Sequence, residues 1–351
     1  MNMHGGDIYG SVDLVHKTRA GLFLDFSVNT NPLGMPDAVK DALIANQGDF
    51  ERYPDPYCRA LCAAIAVSEG VPEGSIRCGN GASDIIFRLC LTKKPRQALV
   101  CAPTFSEYEK AASFAGARVI HYPLCENECF KLTERFLRCI DAQTDMIFLC
   151  NPNNPSGALI DPDLLGEIAR RCREKGTTLV LDECFLPFTD APSMTKEISP
   201  NLVIIKAFTK TFSLAGLRIG YMISSNKELG AAYAAAGSFW SVSAPAQIAA
   251  LAALQCSSWF EQSKSIVKRE RVFLTEQLRA LGLKVFDSDA NFLLFRAENQ
   301  HNLVEKLIPR GILIRSCANF KELDHGYYRV CVKTHERNNK LIEAIQEVLN
   351  G

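Results

Sequence analysis

Lys210 sits in a stretch, 207–220, where hydroxyls crowd around a lysine: Thr209 before it, Thr211 and Ser213 after it, and Arg218 five positions beyond Ser213. A lysine amine forms a Schiff base with a carbonyl compound when desolvation and neighbouring charge lower its pKa. Hydroxyls and the fork of an arginine suit a phosphate. The stretch is therefore built for a molecule that carries both a carbonyl and an anion. A lysine after a strand is by default a solvated surface residue, so the rest of the chain must supply the remaining chemistry.

Apolar runs at 98–101, 118–121, 146–150, 179–181 and 202–206 read as strands, and 219–223 as another. Amphipathic stretches at 108–115, 134–140 and 163–175 read as helices between them. Continuous apolar strands alternating with helices predict an α/β fold with a mainly parallel sheet covered on both faces. Such sheets bind ligands beyond the C-terminal ends of their strands. What stands there is Tyr108, the loop 151–157 with Asn154, then Asp182, then Lys210. Each has a bland alternative: core stacking, an Asx turn, helix capping, solvent exposure. Together they supply a ring, an amide, a carboxylate and an amine at successive strand ends. A carbonyl and a phosphate on one molecule point to pyridoxal phosphate, which a lysine Schiff base holds and an acidic partner polarises at the ring nitrogen. Gly79-Asn80-Gly81-Ala82-Ser83-Asp84 precedes a helix expected over 85–91, which leaves backbone N–H groups to face an anion. It is not a GxGxxG motif, because Asp84 takes the sixth position; plain capping by Ser83 or Asp84 is the alternative.

Composition excludes several classes. The 351 residues allow about two domains and a large core. The 39 basic and 39 acidic side chains balance, so nothing draws the chain to nucleic acid or an anionic membrane. No signal peptide and no membrane-length apolar run is present, so a cytoplasmic enzyme without membrane partners is expected. The 14 cysteines lie mostly in apolar runs without a CxxC pair and read as reduced and buried. The six histidines are scattered and no HExxH occurs, so no metal is expected. Farther on, 244–256 and 264–281 read as long helices. Strands are expected at 290–295, 311–315 and 327–332, and helices at 302–308 and 336–349.

The ordered set Gly81-Ala82-Ser83, Tyr108, Asn154-Pro155-Ser156-Gly157, Asp182, Thr209-Lys210 and Arg218 resembles the fold-type I pyridoxal-phosphate enzymes of the aspartate aminotransferase superfamily. Within it the chain is similar to the branch shared by histidinol-phosphate aminotransferases and threonine-phosphate decarboxylases. His4-Gly5-Gly6 with 25–34, Gly311-Ile312-Leu313-Ile314-Arg315-Ser316-Cys317, and Tyr328-Arg329-Val330 with Lys333-Thr334 resemble the decarboxylases. Ser316 departs from their usual Asp, and Lys333 from a common Arg. Phe185 stands where aminotransferases commonly carry a tyrosine, which favours the decarboxylase reading.

The resemblance implies a seven-stranded, mainly parallel sheet sandwiched by helices in a large domain over 31–245. It also implies a small α+β domain over 246–351 and an N-terminal arm over 1–30 packed on it. Lys210 then holds the cofactor, Asp182 pairs with its ring nitrogen, Tyr108 stacks on the ring and Asn154 reaches the phenolic oxygen. Gly81, Ala82, Ser83, Thr209 and Arg218 hold its phosphate, and Tyr53 reaches that of a neighbouring subunit in a homodimer with shared sites. His4, Gly5, Asn29, Asn154, Arg315 and Arg329 are the expected contacts of a small phosphorylated amino acid. The expected reaction is decarboxylation of O-phospho-L-threonine in cobalamin biosynthesis. The alternatives are histidinol-phosphate or broader aminotransfer, decarboxylation of O-phospho-L-serine, and a cofactor-binding regulator without turnover.

Overall fold

The computed structural model describes residues 5–6, 23–298 and 300–350. A short pairing segment, β1 (Leu24–Asp25), precedes the strands of the main sheet: β2 (Ile76–Gly79), β3 (Gln97–Ala102), β4 (Arg118–Pro123), β5 (Met146–Cys150), β6 (Thr178–Asp182), β7 (Leu202–Ala207) and β8 (Gly220–Ile223). These seven lie in the order β2-β8-β7-β6-β5-β3-β4. Strands β3 to β7 pair parallel, and β8 runs antiparallel to both β7 and β2. Every residue of β5, β6, β7 and β8 is buried, as expected of strands covered on both faces.

Successive residues of each strand feed two different cores, because side chains alternate across a sheet. Leu179, Leu181, Leu202 and Ile204 pack on one face with the helices Arg59–Glu69, Pro162–Lys175 and Ala244–Ala253. Val180, Val203 and Ile205 pack on the other with Ala82–Lys93, Glu107–Phe114 and Lys227–Ala235. Each Leu or Ile fully buried in this way contributes about 1.5–3 kcal/mol. The alternation also separates two lysines. Lys206 points to the first face, where Glu69 at 2.6 Å and Glu183 at 3.6 Å neutralise it. Lys210 lies beyond the strand end, where the chain has turned.

A second, antiparallel sheet follows: β9 (Lys284–Val285), β10 (Phe292–Arg296), then β12 (Arg315–Ser316) and β13 (Tyr327–Cys331), in the order β12-β13-β10-β9. Its core packs on the helices Ser257–Ala280 and His335–Asn350. The single strand expected over 311–315 is in fact two. β11 (Ile312–Leu313) pairs parallel with β1, and Arg315–Ser316 pairs with β13. The stretch expected as a helix over 134–140 is a 3-10 segment, Glu134–Cys139, whose only buried residue is Phe136; it has too little apolar face to hold an α-helix. The helix expected from 85 begins at Ala82, which puts Ala82 and Ser83 in its first turn. No helix among the described residues is long and apolar enough to cross a membrane.

Candidate active site

The strand ends converge on a cavity of about 480 Å³ lined by side chains from both sheets and from residues 5 and 27–29. That is an ordinary size for a small-molecule or cofactor site. Lys210 enters it from the one-turn helix Phe208–Thr211 that continues β7. Its Nζ lies 6.0 Å from the centroid of the Phe185 ring. Burial, and then the positive charge of Arg329, lower its pKa to about 8. Its neutral fraction near pH 7 is then a few hundred times that of an ordinary lysine, which suits Schiff-base chemistry.

Asp182 ends β6. Its Oδ2 accepts a 2.7 Å hydrogen bond from the Tyr108 hydroxyl, and its Oδ1 accepts from the Cys184 amide at 2.9 Å. The Tyr108 ring is 1% exposed and lies nearly parallel to Phe148, with centroids 5.4 Å apart and planes at 12°. Burial, and then the Asp182 charge, raise its hydroxyl well above the usual tyrosine value, so it stays a donor.

The opposite end of the cavity is an anion cradle. Gly81, at φ +83°, precedes the helix Ala82–Lys93, and no side chain caps that helix. Asp84, one of the two residues of the alternative capping reading, accepts from the Asn80 amide at 2.9 Å. Ala82 and Ser83, in the uncapped first turn, line the cavity beside Thr209 and Arg218, where a helix start suits an anion. A Cβ at Gly81 would stand 2.7 Å from Arg218 Nη2. The backbone conformation favours glycine there, and a side chain would also push the Arg218 guanidinium aside. A Cβ at Gly220 would likewise meet the Ala82 amide at 3.1 Å.

A third wall carries Arg315 and Arg329. Arg329 Nη1 donates to Asn154 Oδ1 and Nη2 to the Ser27 carbonyl at 2.8 Å, while its buried Nε has no partner. Burial lowers its pKa to about 10. Burial also lowers Arg315, whose Nη2 donates to Asn319 Oδ1 at 2.7 Å. Asn29 presents a buried Oδ1 without a partner. Gly5 lies so close to residue 27 that a Cβ would stand 2.2 Å from the Ser27 carbonyl oxygen. The cavity wall carries five cations (Lys110, Lys210, Arg218, Arg315, Arg329) against two carboxylates (Glu107, Asp182), and so calls for anionic ligands.

Of the residues singled out in the sequence, Gly5, Asn29, Ala82, Ser83, Tyr108, Asn154, Asp182, Thr209, Lys210, Arg218, Arg315 and Arg329 line this one cavity. Gly81 supports it from behind through Arg218. Tyr53 does not line it: it is 79% exposed and stacks on Trp240 at 4.3 Å. His4 lies outside the described residues. Sequence reasoning missed Glu107, Lys110, Asn319 and Phe320 on the cavity wall. Glu107 directly precedes Tyr108, and that adjacency was the available signal.

Fold and site together define a pyridoxal-phosphate-dependent enzyme. Residues 23–345 match the family model for aminotransferase class I and II, and the chain belongs to that family. It is 37% identical to a threonine-phosphate decarboxylase of Salmonella typhimurium over 99% of this chain and 97% of the relative. It is 34% identical to a histidinol-phosphate aminotransferase of Desulfitobacterium hafniense over 92% and 90%. The crystal structure of the histidinol-phosphate aminotransferase from Clostridium acetobutylicum superposes with a TM-score of 0.86 at 33% identity, covering 93% of this chain and 98% of that one. The cofactor is pyridoxal 5'-phosphate, and the lysine, the carboxylate and the glycine-backed anion cradle fit its three functional ends.

Proposed function

We propose that the protein decarboxylates O-phospho-L-threonine to (R)-1-aminopropan-2-yl phosphate, the phosphorylated amino alcohol consumed in cobalamin side-chain assembly. The observation that carries this reading is the pair of buried guanidiniums, Arg315 and Arg329, facing Lys210 across one cavity. A phosphorylated α-amino acid brings two anionic groups on a short skeleton, a carboxylate and a phosphate. Histidinol phosphate brings only one. The higher identity to a threonine-phosphate decarboxylase, and Phe185 in place of a phenol, support the same choice.

Pyridoxal phosphate supplies an electron sink for the bonding pair released at the substrate α-carbon. Lys210 would hold the cofactor, and its amine would be the group that delivers a proton to the substrate α-carbon in place of the departing carbon dioxide. Asp182, which accepts from the Tyr108 hydroxyl and the Cys184 amide, would pair with the ring nitrogen. Ala82, Ser83, Thr209 and Arg218 hold the cofactor phosphate, and Asn154 donates toward its phenolic oxygen. Arg329 and Arg315, with Asn29 and residues 4–5, would bind and orient the carboxylate and phosphate of the substrate. Phe185 forms an apolar wall against Phe292, with centroids 4.9 Å apart, and offers the cofactor no hydrogen bond.

The exposed aromatic cluster of Tyr53, Tyr57, Phe239 and Trp240 is covered by a second copy of the chain, so that Tyr53 reaches the partner's cofactor phosphate. An exposed contiguous apolar patch is the usual mark of such an interface.

The test incubates the cofactor-loaded protein with O-phosphothreonine alone, and separately with histidinol phosphate plus 2-oxoglutarate. Carbon dioxide release without any oxo acid is the expected result. Glutamate formation outrunning it would assign the chain to aminotransfer. O-phosphoserine belongs in the same series, because one methyl group discriminates only about 1–3 kcal/mol.

A further inference from the structure

The helix that presents Lys210, Phe208–Thr211, has only four residues. One turn is too short to sustain itself, because the first hydrogen bond fixes several residues at once. Its C-terminal carbonyls also lack intrahelical partners. The structure supplies those partners from the far end of the chain. The Asn31 amide donates to the Lys210 carbonyl at 3.0 Å, and Asn31 Nδ2 donates to the Thr211 carbonyl at 2.7 Å. The Asn31 carbonyl accepts from the Ser213 hydroxyl at 3.2 Å, where the backbone turns left-handed at φ +54°.

The remaining atoms of Asn31 are also engaged. Nδ2 donates to Ser263 Oγ at 2.7 Å, on the helix Ser257–Ala280, and Oδ1 accepts from the Leu33 amide at 2.9 Å. The two acceptors around Nδ2 and the donor at Oδ1 leave one orientation for the amide. Asn31 is 2% exposed and does not line the cavity. Two residues before it, Asn29 does line the cavity, and its carbonyl accepts from Asn291 Nδ2 at 3.0 Å. Thr30 between them accepts at its carbonyl from Cys331 Sγ at 3.4 Å.

We propose that Asn31 is a positioning residue that caps the lysine's turn from outside and locks Lys210 in register with the segment Ser27–Asn29, which lines the cavity beside Arg329. It touches neither cofactor nor substrate. It couples the wall that would grip the substrate to the amine that holds the cofactor. The inference rests on the reading that Lys210 is the cofactor lysine.

Four preparations are compared: the unaltered chain, Lys210→Ala, Asn31→Ala and Asn31→Asp, each loaded with pyridoxal phosphate. The readouts are the pH midpoint of the visible absorbance, kcat and KM separately, and Tm. Asn31→Asp keeps the volume and the acceptor for the Leu33 amide but has no donor for the Thr211 carbonyl. The expected result is that both Asn31 variants move the absorbance midpoint by about half a pH unit or more. Both are also expected to lower kcat roughly 10- to 100-fold with KM changed less than about threefold, as a small misplacement of a reacting group does. The midpoint reports the proton on the Lys210 nitrogen once that nitrogen is joined to the cofactor, so it responds to where the capped turn places the nitrogen. If Asn31→Asp keeps the original midpoint and kcat, the donor is irrelevant and the inference is overturned. A change confined to Tm in either variant overturns it as well. Should Lys210→Ala retain the lysine-bound absorbance, the failure lies in the assignment of the lysine instead.

Discussion

Arg315 and Arg329 are direct register partners across the antiparallel pair of β12 and β13, both buried and both on the wall of the cavity that holds Lys210. Like charges directly opposite on neighbouring strands oppose each other, and the field of Arg315 contributes to lowering Arg329. An anion between them relieves that repulsion, so the pair is preorganised for a ligand rather than for the empty fold. Arg329 also ties Asn154, on the wall of the same cavity, to the Ser27 carbonyl.

Arg329→Lys is expected to lower kcat/KM for O-phosphothreonine by about 10²- to 10³-fold. A lysine cannot bond Asn154 and the Ser27 carbonyl and still grip a carboxylate in a planar fork. Steady-state kinetics check this; an effect below about threefold would remove Arg329 from substrate recognition.

The depressed pKa of Lys210 predicts a pH-dependent stability in the cofactor-free protein. Between about pH 8 and the ordinary lysine value of 10.5 the unfolded chain binds the lysine proton and the folded chain does not, so this group's contribution to stability rises with pH across that window. Below pH 8 its desolvation costs on the order of 3 kcal/mol. Lys210→Met is therefore expected to raise Tm most below pH 8, with the gain shrinking toward pH 10.5. Thermal melts of both apo proteins across that range settle it, and a pH-independent difference refutes the burial argument.

Gly81→Ala places a methyl 2.7 Å from the Arg218 guanidinium at a φ of +83°. Strain of about 1–3 kcal/mol is expected from the backbone alone. The displaced arginine should weaken pyridoxal phosphate binding by at least about tenfold. Equilibrium titration of the apo protein measures it, and unchanged affinity would show that Arg218 does not hold the phosphate.

Tyr108→Phe removes the donor that satisfies Asp182 Oδ2 at 2.7 Å. A buried acceptor left without its partner costs about 1–3 kcal/mol. The apo protein should melt correspondingly lower, while cofactor binding should recover part of the loss by giving the carboxylate a new partner. A Tm difference that is identical with and without cofactor would show that Asp182 does not face the ring nitrogen.

The sequence by itself carried the strand-end chemistry. Lys210, Asp182, Asn154 and Tyr108 each follow or end an apolar run, and the fold rule that puts ligands at strand ends is local and directional. The glycines at 79 and 81 ahead of a helix were equally readable, since small residues and a helix start lie next to one another in the chain. Tertiary structure alone decided what those residues touch. Nothing local joins Asn31 to the turn of Lys210, Tyr108 to Asp182, or Arg329 to Ser27; each contact spans many residues and depends on which strands are neighbours. Nor does the short stretch over 311–315 show that its two ends serve different sheets. Register is set by pairing, and a slip of one residue turns every side chain to the opposite face. Residue types specify the available chemistry, and only the packed chain brings five cations and two carboxylates around one cavity.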